Sequence, residues 1–243
     1  AYGRPLISYY LLGATDRQRM LYRPADFYER NKVRTLLGAR AEKIDPAAQK
    51  IVLRGGEEIP YDRLLVATGS RPFEPPMAGI DGVKNKFNFM TLQDALSLEK
   101  VLSKRKNVLI IGAGLIGLKC LEGILERVKS VSVVDMASRI LPSILDDAGA
   151  AVVRRELEGK GAKFYLSDSV AKFDGGTAHL KSGKEISFDI LVVAVGVRPN
   201  TELVKDAGGE VSRGVVTDEK QQTSLQNVYA AGDCAESFDI TSG

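Results

Sequence analysis

A glycine-rich turn between two apolar runs, at residues 107–135, most constrains how this chain folds. The run 108–111 (Val-Leu-Ile-Ile) is continuously apolar, as in a strand buried on both faces. Three glycines with the spacing G-x-G-x-x-G follow it: Gly112, Gly114 and Gly117. A helical apolar period over 118–128 and a second apolar run at 131–134 complete the pattern. Together these features predict a βαβ unit.

The same unit predicts a dinucleotide site. Gly112 permits a tight turn, Gly114 lets the backbone approach a pyrophosphate, and Gly117 lets the helix pack on the sheet. The helix N-terminus offers N–H groups and partial positive charge to phosphates. Asp135, roughly 20 residues beyond the glycines, is placed to accept ribose hydroxyls. The alternative is a glycine-rich strand–helix turn with Asp135 as a solvated strand end.

The acid also bears on the kind of nucleotide. A carboxylate at Asp135 would repel a 2′-phosphate and bind a free 2′-hydroxyl, so NAD(H) is favoured over NADP(H). Arg139 lies four residues further on. It either contacts a phosphate or is a solvated loop arginine, and the sequence leaves both open.

Composition excludes several classes of function. The chain has 243 residues, 44% of them hydrophobic, and a net charge of +3, which indicates one large or two modest globular domains. The basic run 104–106 is interpreted as a solvated loop, so no nucleic-acid partner is expected. No apolar stretch reaches about 18 residues and no signal peptide is visible. Two distant cysteines, Cys120 and Cys234, and the single His179 argue against a metal site. We therefore expect a cytoplasmic protein without membrane contact.

The rest of the chain alternates short strands with helices. We predict helices at 24–30, 91–103 and 146–160, and strands at 33–37, 41–44, 50–53, 64–67, 163–166, 170–173, 177–180, 185–187, 189–194 and 228–231. A short meander followed by a buried strand ending in glycine occurs twice, at 41–69 and at 170–196. This weak repeat suggests two nucleotide-binding domains of one design. Upstream of residue 33 there is no G-x-G-x-x-G.

Five motifs, in a fixed order, resemble one enzyme superfamily. They are Arg4-Pro5-Leu6-Ile7-Ser8, Ala67-Thr68-Gly69-Ser70-Arg71-Pro72, the Gly112–Asp135 unit, Val195-Gly196-Val197-Arg198-Pro199-Asn200, and Tyr229-Ala230-Ala231-Gly232-Asp233. The chain resembles the FAD/NAD-linked pyridine nucleotide–disulfide oxidoreductases. The likeness is to rubredoxin reductases and the flavin modules of nitrite reductases.

The resemblance implies an α/β, two-dinucleotide-binding-domain (Rossmann-like) flavoprotein fold. It assigns 1–85 to a partial FAD-binding domain, 86–205 to an inserted and complete NAD-binding domain, and 206–243 to the return segment of the FAD-binding domain. The FAD pyrophosphate loop of the family is not found in the sequence, and the family's C-terminal interface domain is expected after Asp233. The chain thus looks truncated at both ends, and we expect only NAD binding to be intact.

The resemblance also implies the activity and the site residues. The parent would be an FAD-dependent oxidoreductase that passes hydride from NADH to flavin and electrons on to an acceptor. That acceptor would be rubredoxin, an iron–sulfur or sirohaem module, oxygen or a small molecule. The residues implied for NADH are Gly112, Gly114, Leu115, Ile116, Gly117, Asp135 and Gly196. Those implied for FAD are Arg4, Pro5, Ala67, Thr68, Gly69, Arg71, Gly232 and Asp233.

Two departures from the family pattern matter for mechanism. The disulfide-reductase and peroxidase branches place a redox cysteine where this chain has 3–10, which contains none, so we reject a thiol mechanism. Related reductases often pair a lysine with a glutamate at the positions of Tyr9 and Lys119. We hypothesise that Lys119 stabilises reduced flavin electrostatically while Tyr9 packs against the ring. The alternative is a solvated helix lysine and a core tyrosine.

A second class of function stays open: an NAD(H)-binding module with no redox activity of its own. The flavin-facing segments 4–8 and 232–233 distinguish the two, because a pure NAD module would have no reason to carry them. A third possibility, a disulfide or peroxide reductase, would need a cysteine at 3–10.

Overall fold

The computed structural model describes residues 2–239. Its helices are α1 (Ile7–Leu12), α2 (Phe27–Arg30), α3 (Leu92–Glu99), α4 (Leu115–Ile124), α5 (Asp147–Gly159) and α6 (Glu202–Asp206). Single 3₁₀ turns occur at Arg4–Leu6, Ile80–Gly82 and Leu125–Arg127. Its strands are β1 (Ala41–Asp45), β2 (Lys50–Leu53), β3 (Glu58–Pro60), β4 (Leu64–Val66), β5 (Ser70–Pro72), β6 (Lys86–Phe87), β7 (Asn107–Ile111), β8 (Ser130–Asp135), β9 (Ala162–Leu166), β10 (Val170–Asp174), β11 (Thr177–Leu180), β12 (Glu185–Ser187), β13 (Ile190–Val193), β14 (Val197–Pro199), β15 (Val215–Val216), β16 (Val228–Ala230) and β17 (Ala235–Glu236).

The chain forms two compact units. The first contains the residues up to Phe27 together with Pro72–Gly196, and the second contains Tyr28–Arg71 and the residues from Val197 onward. The units therefore divide the chain at 27, 71 and 196 rather than at the expected 85 and 205. The reason is packing: Ile7, Leu11 and Met20 are buried in the same apolar cluster as the βαβ unit.

A five-stranded parallel sheet, in the order β6-β13-β7-β8-β9, forms the centre of the first unit. Alternate residues of β7 enter opposite cores. Val108 and Ile110 belong to the cluster that also holds residues of α1, α3, α4 and α5, whereas Leu109 and Ile111 pack with residues of the β10-β11-β12 meander. Both faces are covered, which explains the continuous apolar runs of the central strands.

Helix α1 lies directly against α4. A Cβ at Gly123 would stand 2.9 Å from the carbonyl oxygen of Ser8, so only a glycine allows this approach of the two backbones. Arg127 donates to the carbonyl of Leu11 at 2.8 Å and to Glu99 at 3.0 Å. A cation at a helix C-terminus complements the helix dipole. These contacts hold the N-terminal segment on the sheet's helical face.

The second unit consists of small sheets around an apolar cluster. Strands β1, β2 and β3 form an antiparallel sheet, and β4 pairs with β16, β5 with β14, and β15 with β17. Ile44, Val66 and Val228 are buried in its core with Cys234. The strand predicted at 33–37 is wrong: this segment is irregular, and Leu37 is 92% exposed. Its apolar residues find no neighbouring strand to pair with, and a strand needs that ladder.

The remaining predicted elements are confirmed with shifted ends. Helix α3 ends at Glu99 rather than at 103, and α4 ends at Ile124, where a 3₁₀ turn replaces the predicted continuation toward 128. Thr91 caps α3 in a capping box with Asp94. No helix within residues 2–239 has the length and apolarity needed to cross a bilayer.

Candidate dinucleotide-binding site

The turn after β7 requires glycine at its first position. Gly112 has φ +111°, and a Cβ there would lie 2.2 Å from the carbonyl oxygen of Ala194. Its N–H donates to Val134 at 2.9 Å. Any side chain would both strain the backbone and collide with the neighbouring strand's end. Gly112 therefore fixes where the chain leaves the sheet.

The other two glycines differ in what surrounds them. A Cβ at Gly117 would lie 2.0 Å from the carbonyl oxygen of Gly112, so this glycine is required for packing of α4 on the turn. A Cβ at Gly114 would meet no atom within 4 Å. Gly114 thus leaves open space beside the backbone at the start of α4, as a bound pyrophosphate requires.

Helix α4 presents unbonded N–H groups at this opening. The first helical bond runs from Leu118 to the carbonyl of Gly114 at 3.0 Å, so the amides of Leu115 and Ile116 have no acceptor within the helix. Leu115 is 56% exposed, and Ile116 packs partly against the core. The arrangement has the geometry of an anion site.

Asp135 ends β8 beside the turn. Its Oδ2 accepts the N–H of Ala113 at 2.5 Å and its Oδ1 accepts the N–H of Ala137 at 2.7 Å. The carboxylate therefore lies next to the glycine loop, where the sequence predicts the ribose acceptor. Within the described chain, no group of three His, Cys, Asp or Glu side chains is placed to hold a metal ion.

Gly196 lies at the same edge of the sheet. It follows β13 with φ +122°, and a Cβ there would meet nothing within 4 Å. The neighbouring Ala194 donates to Ile111 at 2.8 Å, which ties the end of β13 to the end of β7. The structure thus brings together all seven residues predicted for NADH.

Arg139 is held by the loop that contains it. Its guanidinium donates to the carbonyls of Leu145 at 3.1 Å and Pro142 at 3.3 Å, and it pairs with Asp147 at 3.2 Å. These bonds fasten the segment that leads into α5. Neither of the two interpretations left open by the sequence included these bonds, which give Arg139 a structural role in the loop.

Tyr9 and Lys119 meet across the contact between α1 and α4. The Lys119 Nζ lies 4.3 Å from the centroid of the Tyr9 ring, a cation–π geometry. The same ammonium forms an ion pair with Glu122, one turn further along α4. Glu122 was not predicted as a site residue, although its i,i+3 spacing from Lys119 is visible in the sequence.

In the second unit, Asn200 joins two segments of the predicted flavin site. Its side chain donates to the carbonyl of Thr68 at 2.9 Å and accepts from Arg71 at 2.8 Å, and its N–H donates to Gly69 at 2.9 Å. The Thr68 hydroxyl donates back to the Asn200 carbonyl at 2.7 Å. The sequence placed Asn200 in a family motif but gave it no role of its own. Motif spacing does not show that its side chain fixes the 68–71 turn.

Arg71 also pairs with Glu202 at 2.7 Å. The first-turn N–H of Glu202 itself, and then the Arg71 guanidinium, hold the pKa of this carboxyl below its ordinary value. Glu202 was likewise not predicted. It fixes Arg71 on the Asn200 side of the turn.

Asp233 lies beside the same turn. Its carboxylate accepts the Ser70 hydroxyl at 2.9 Å. Gly69 and Gly232 have φ +64° and φ +78°, and a Cβ on either would meet nothing within 4 Å. Ala67, which precedes the turn, is exposed. Six predicted flavin residues therefore gather in one unit, with backbone open to a ligand.

The other two predicted flavin residues lie in the first unit. Arg4 and Pro5 form the 3₁₀ turn that runs directly into α1. They thus precede Tyr9 by about one helical turn.

Both cysteines are free and buried in this fold. Cys120 is fully buried in α4, and burial raises the pKa of its thiol far above its ordinary value. Cys234 is buried as well, and its thiol donates to carbonyl groups of Val66 and Ala231. Neither thiol is exposed, as a thiol in disulfide exchange needs to be.

Comparison with known proteins identifies the family. A family model described as pyridine nucleotide-disulphide oxidoreductase matches residues 1–242. The chain belongs to the pyridine nucleotide-disulphide oxidoreductase family. The resemblance predicted from the five motifs is thereby confirmed.

Several family members are similar over nearly the whole chain. The assimilatory nitrate reductase electron transfer subunit of Bacillus subtilis is 34% identical over 97% of this chain and 31% of its own length. The rubredoxin-NAD(+) reductase of Pseudomonas putida is 30% identical over 95% of this chain and 61% of its own. Putidaredoxin reductase, in its covalent complex with putidaredoxin, superposes with a TM-score of 0.92 at 27% identity, over 98% of this chain and 60% of its own.

The fold is thus the α/β fold of the family's flavoprotein reductases, matched over nearly the whole chain. The chain spans about a third of the nitrate reductase subunit and about six tenths of the two other proteins.

Proposed function

We propose that this chain carries the nucleotide site and part of the flavin site of an FAD-dependent NADH oxidoreductase that supplies electrons to a separate acceptor. One observation carries the proposal: Gly114 leaves open space at the N-terminus of α4 while Asp135 lies beside the loop. A pyrophosphate and a ribose need these two features together. Gly196 lines the same edge of the sheet.

The proposed nucleotide is NADH rather than NADPH. The support is the Asp135 carboxylate, which attracts ribose hydroxyls and repels a 2′-phosphate. Arg139, which the sequence offers as a candidate phosphate contact, already donates to Leu145, Pro142 and Asp147.

The residues of the second unit fit a flavin. Asp233 presents a carboxylate to accept ribitol hydroxyls, and Gly69 and Gly232 leave room beside the backbone. Ala67, Thr68 and Arg71 would line the same site. When bound, FAD supplies the hydride acceptor and releases electrons singly or in pairs. Arg4 and Pro5 are proposed beside the isoalloxazine ring. In functional terms we propose FAD-binding segments at 1–85 and 206–243 and an NAD-binding domain at 86–205.

The protein's own task is positioning. Hydride transfer needs no protein acid or base, so the residues named here orient the two rings and exclude water. We propose in addition that Lys119 places positive charge near the flavin and that Tyr9 packs against the flavin ring. The 4.3 Å contact between Lys119 and Tyr9 supports placing both at one site.

The acceptor is proposed to be a small redox protein or an attached redox module. The support comes from family members named as a rubredoxin reductase and as a nitrate reductase electron transfer subunit, and from the putidaredoxin reductase complex. The alternative function remains an NAD(H)-binding module without redox activity.

Anaerobic spectroscopy distinguishes these two functions. The chain is incubated with FAD, separated from free flavin, and mixed with NADH. The proposed enzyme bleaches the visible absorbance of protein-bound flavin, and Gly117→Ala abolishes the bleaching. NADH binding by calorimetry without any bound or bleached flavin would support the module. No NADH binding at all would contradict the nucleotide site itself.

A further inference from the structure

Asp135 makes two main-chain hydrogen bonds that a ribose acceptor does not need. Oδ2 accepts the N–H of Ala113, at the centre of the glycine loop, and Oδ1 accepts the N–H of Ala137 just beyond β8. Ala113 is fully buried. Its N–H has no access to water, so it depends on Asp135 for a hydrogen-bond partner.

The rest of the loop is tied in the same manner. Gly112 donates to Val134 at 2.9 Å, and the Ala113 carbonyl accepts the N–H of Leu141 at 2.9 Å. The Asp135 bond is the part of this set that comes from a side chain. Because bonds to a carboxylate are stronger than neutral ones, it contributes most per bond to holding the loop.

We propose that Asp135 is a positioning residue for the pyrophosphate-binding loop as well as the ribose acceptor, so that ribose recognition and loop geometry depend on one carboxylate. The inference rests on the proposed NADH site. It also has a consequence for specificity. A carboxylate bonded on both oxygens cannot swing away from a 2′-phosphate without leaving the Ala113 N–H buried and unpaired.

A binding cycle tests the loop role. ADP and 2′,3′-dideoxy-ADP, which lacks both ribose hydroxyls, are titrated calorimetrically into the unmodified chain, Asp135→Ala and Asp135→Asn. If Asp135 holds the loop, Asp135→Ala lowers the affinity for both ligands by about tenfold or more. Asp135→Asn lowers both affinities by a smaller factor. If Asp135 acts only on ribose, the variants lose affinity for ADP and keep the same affinity for the dideoxy ligand, which would overturn the proposal.

The matched control is Asp189→Ala. Asp189 also accepts a main-chain N–H of β7, that of Asn107 at 2.8 Å, but at the opposite end of the strand. Removing the Asp189 carboxylate tests whether destabilising β7 is by itself enough to lower the affinity for both ligands. We expect Asp189→Ala to bind ADP and dideoxy-ADP as the unmodified chain does. An equal loss in the control would overturn the assignment to the loop.

Hydrogen exchange supplies a readout without any ligand. In the free chain, Asp135→Ala should raise exchange at the Ala113 amide about tenfold or more, while amides of β13 keep their protection. Unchanged exchange at Ala113 would contradict the proposal even if Asp135→Ala proves too unstable to titrate. Failure of ADP and NADH to bind the unmodified chain would contradict the proposed function instead.

Cofactor preference gives the last outcome. Because Asp135→Ala releases the loop, it should lose NADH affinity without gaining a matching affinity for NADPH. An Asp135→Ala variant that binds NADPH as tightly as the unmodified chain binds NADH would show that the carboxylate acts by repulsion alone.

Discussion

The ammonium of Lys119 lies 4.3 Å from the centre of the Tyr9 ring, across the contact between α4 and α1. Glu122 holds the same ammonium by an ion pair. These are the two positions at which the resemblance implies a departure from a lysine–glutamate pair. The two side chains contact each other, so a change at either position affects the other.

The first prediction concerns this contact as a stabilising pair. Tyr9→Leu and Lys119→Met should each reduce the free energy of unfolding by about 0.5–1 kcal/mol, and the double variant by less than their sum, because both remove one cation–π interaction. Chemical unfolding of all four chains gives the coupling energy. Tyr9→Phe is the control and should unfold like the unmodified chain, since it keeps the ring. A coupling of zero would mean that the two side chains are merely adjacent.

The second prediction tests the proposed electrostatic role of Lys119. In the FAD-loaded protein, Lys119→Glu should slow flavin reduction at saturating NADH, because it reverses the charge that we propose lies near the flavin. Glu122→Gln should not slow it, since the ammonium remains. The rate is followed anaerobically by stopped flow. Equal rates in the unmodified protein and Lys119→Glu would leave the lysine with a structural role only.

The third prediction concerns the glycine loop. Gly117→Ala places a Cβ 2.0 Å from the carbonyl oxygen of Gly112, so α4 must move away from the turn. We expect a loss of about 1–3 kcal/mol in the free energy of unfolding and loss of NADH binding. Gly159→Ala, at the last residue of α5 with nothing within 4 Å of its Cβ, is the matched control and should preserve both. Retained NADH affinity in Gly117→Ala would argue that the ligand does not bind at this loop.

The fourth prediction is a pH dependence. The Asn107 N–H, and then the charge of Lys106, hold the pKa of Asp189 below its ordinary value. A lowered pKa stabilises the folded chain above the ordinary value of about 3.9, and this stabilisation is lost as the pH falls through the lower, folded-state pKa. The stability difference between the unmodified chain and Asp189→Asn should therefore shrink on acidification below about pH 4. Urea unfolding from neutral to acidic pH measures it, and a constant difference would contradict the assignment.

Much of the first unit could be predicted because its determinants are local. The apolar run of β7, the three glycines and the period of α4 lie within thirty residues of one another. Thr91 and Asp94, three residues apart, likewise form a capping box that marks the start of α3. In each case the residues that decide the structure are close in sequence.

Other features depend on contacts that sequence periodicity does not encode. The packing of α1 on α4 depends on Gly123 meeting Ser8, more than a hundred residues away. For that reason the sequence did not indicate that the residues up to Phe27 pack in the same compact unit as the βαβ motif. The segment 33–37 has the composition of a strand but no neighbour to pair with. The hydrogen bonds of Asn200 to the 68–71 turn similarly join distant segments.

Amide chemical-shift mapping tests the central claim most directly. NADH is titrated into the isotopically labelled chain, and the perturbed backbone amides are assigned. The account predicts that the largest shifts fall at 112–117, at Asp135–Ala137 and near Gly196, and that Gly117→Ala abolishes them. Shifts confined to the second unit, or no shifts at saturating NADH, would contradict a dinucleotide site at this loop.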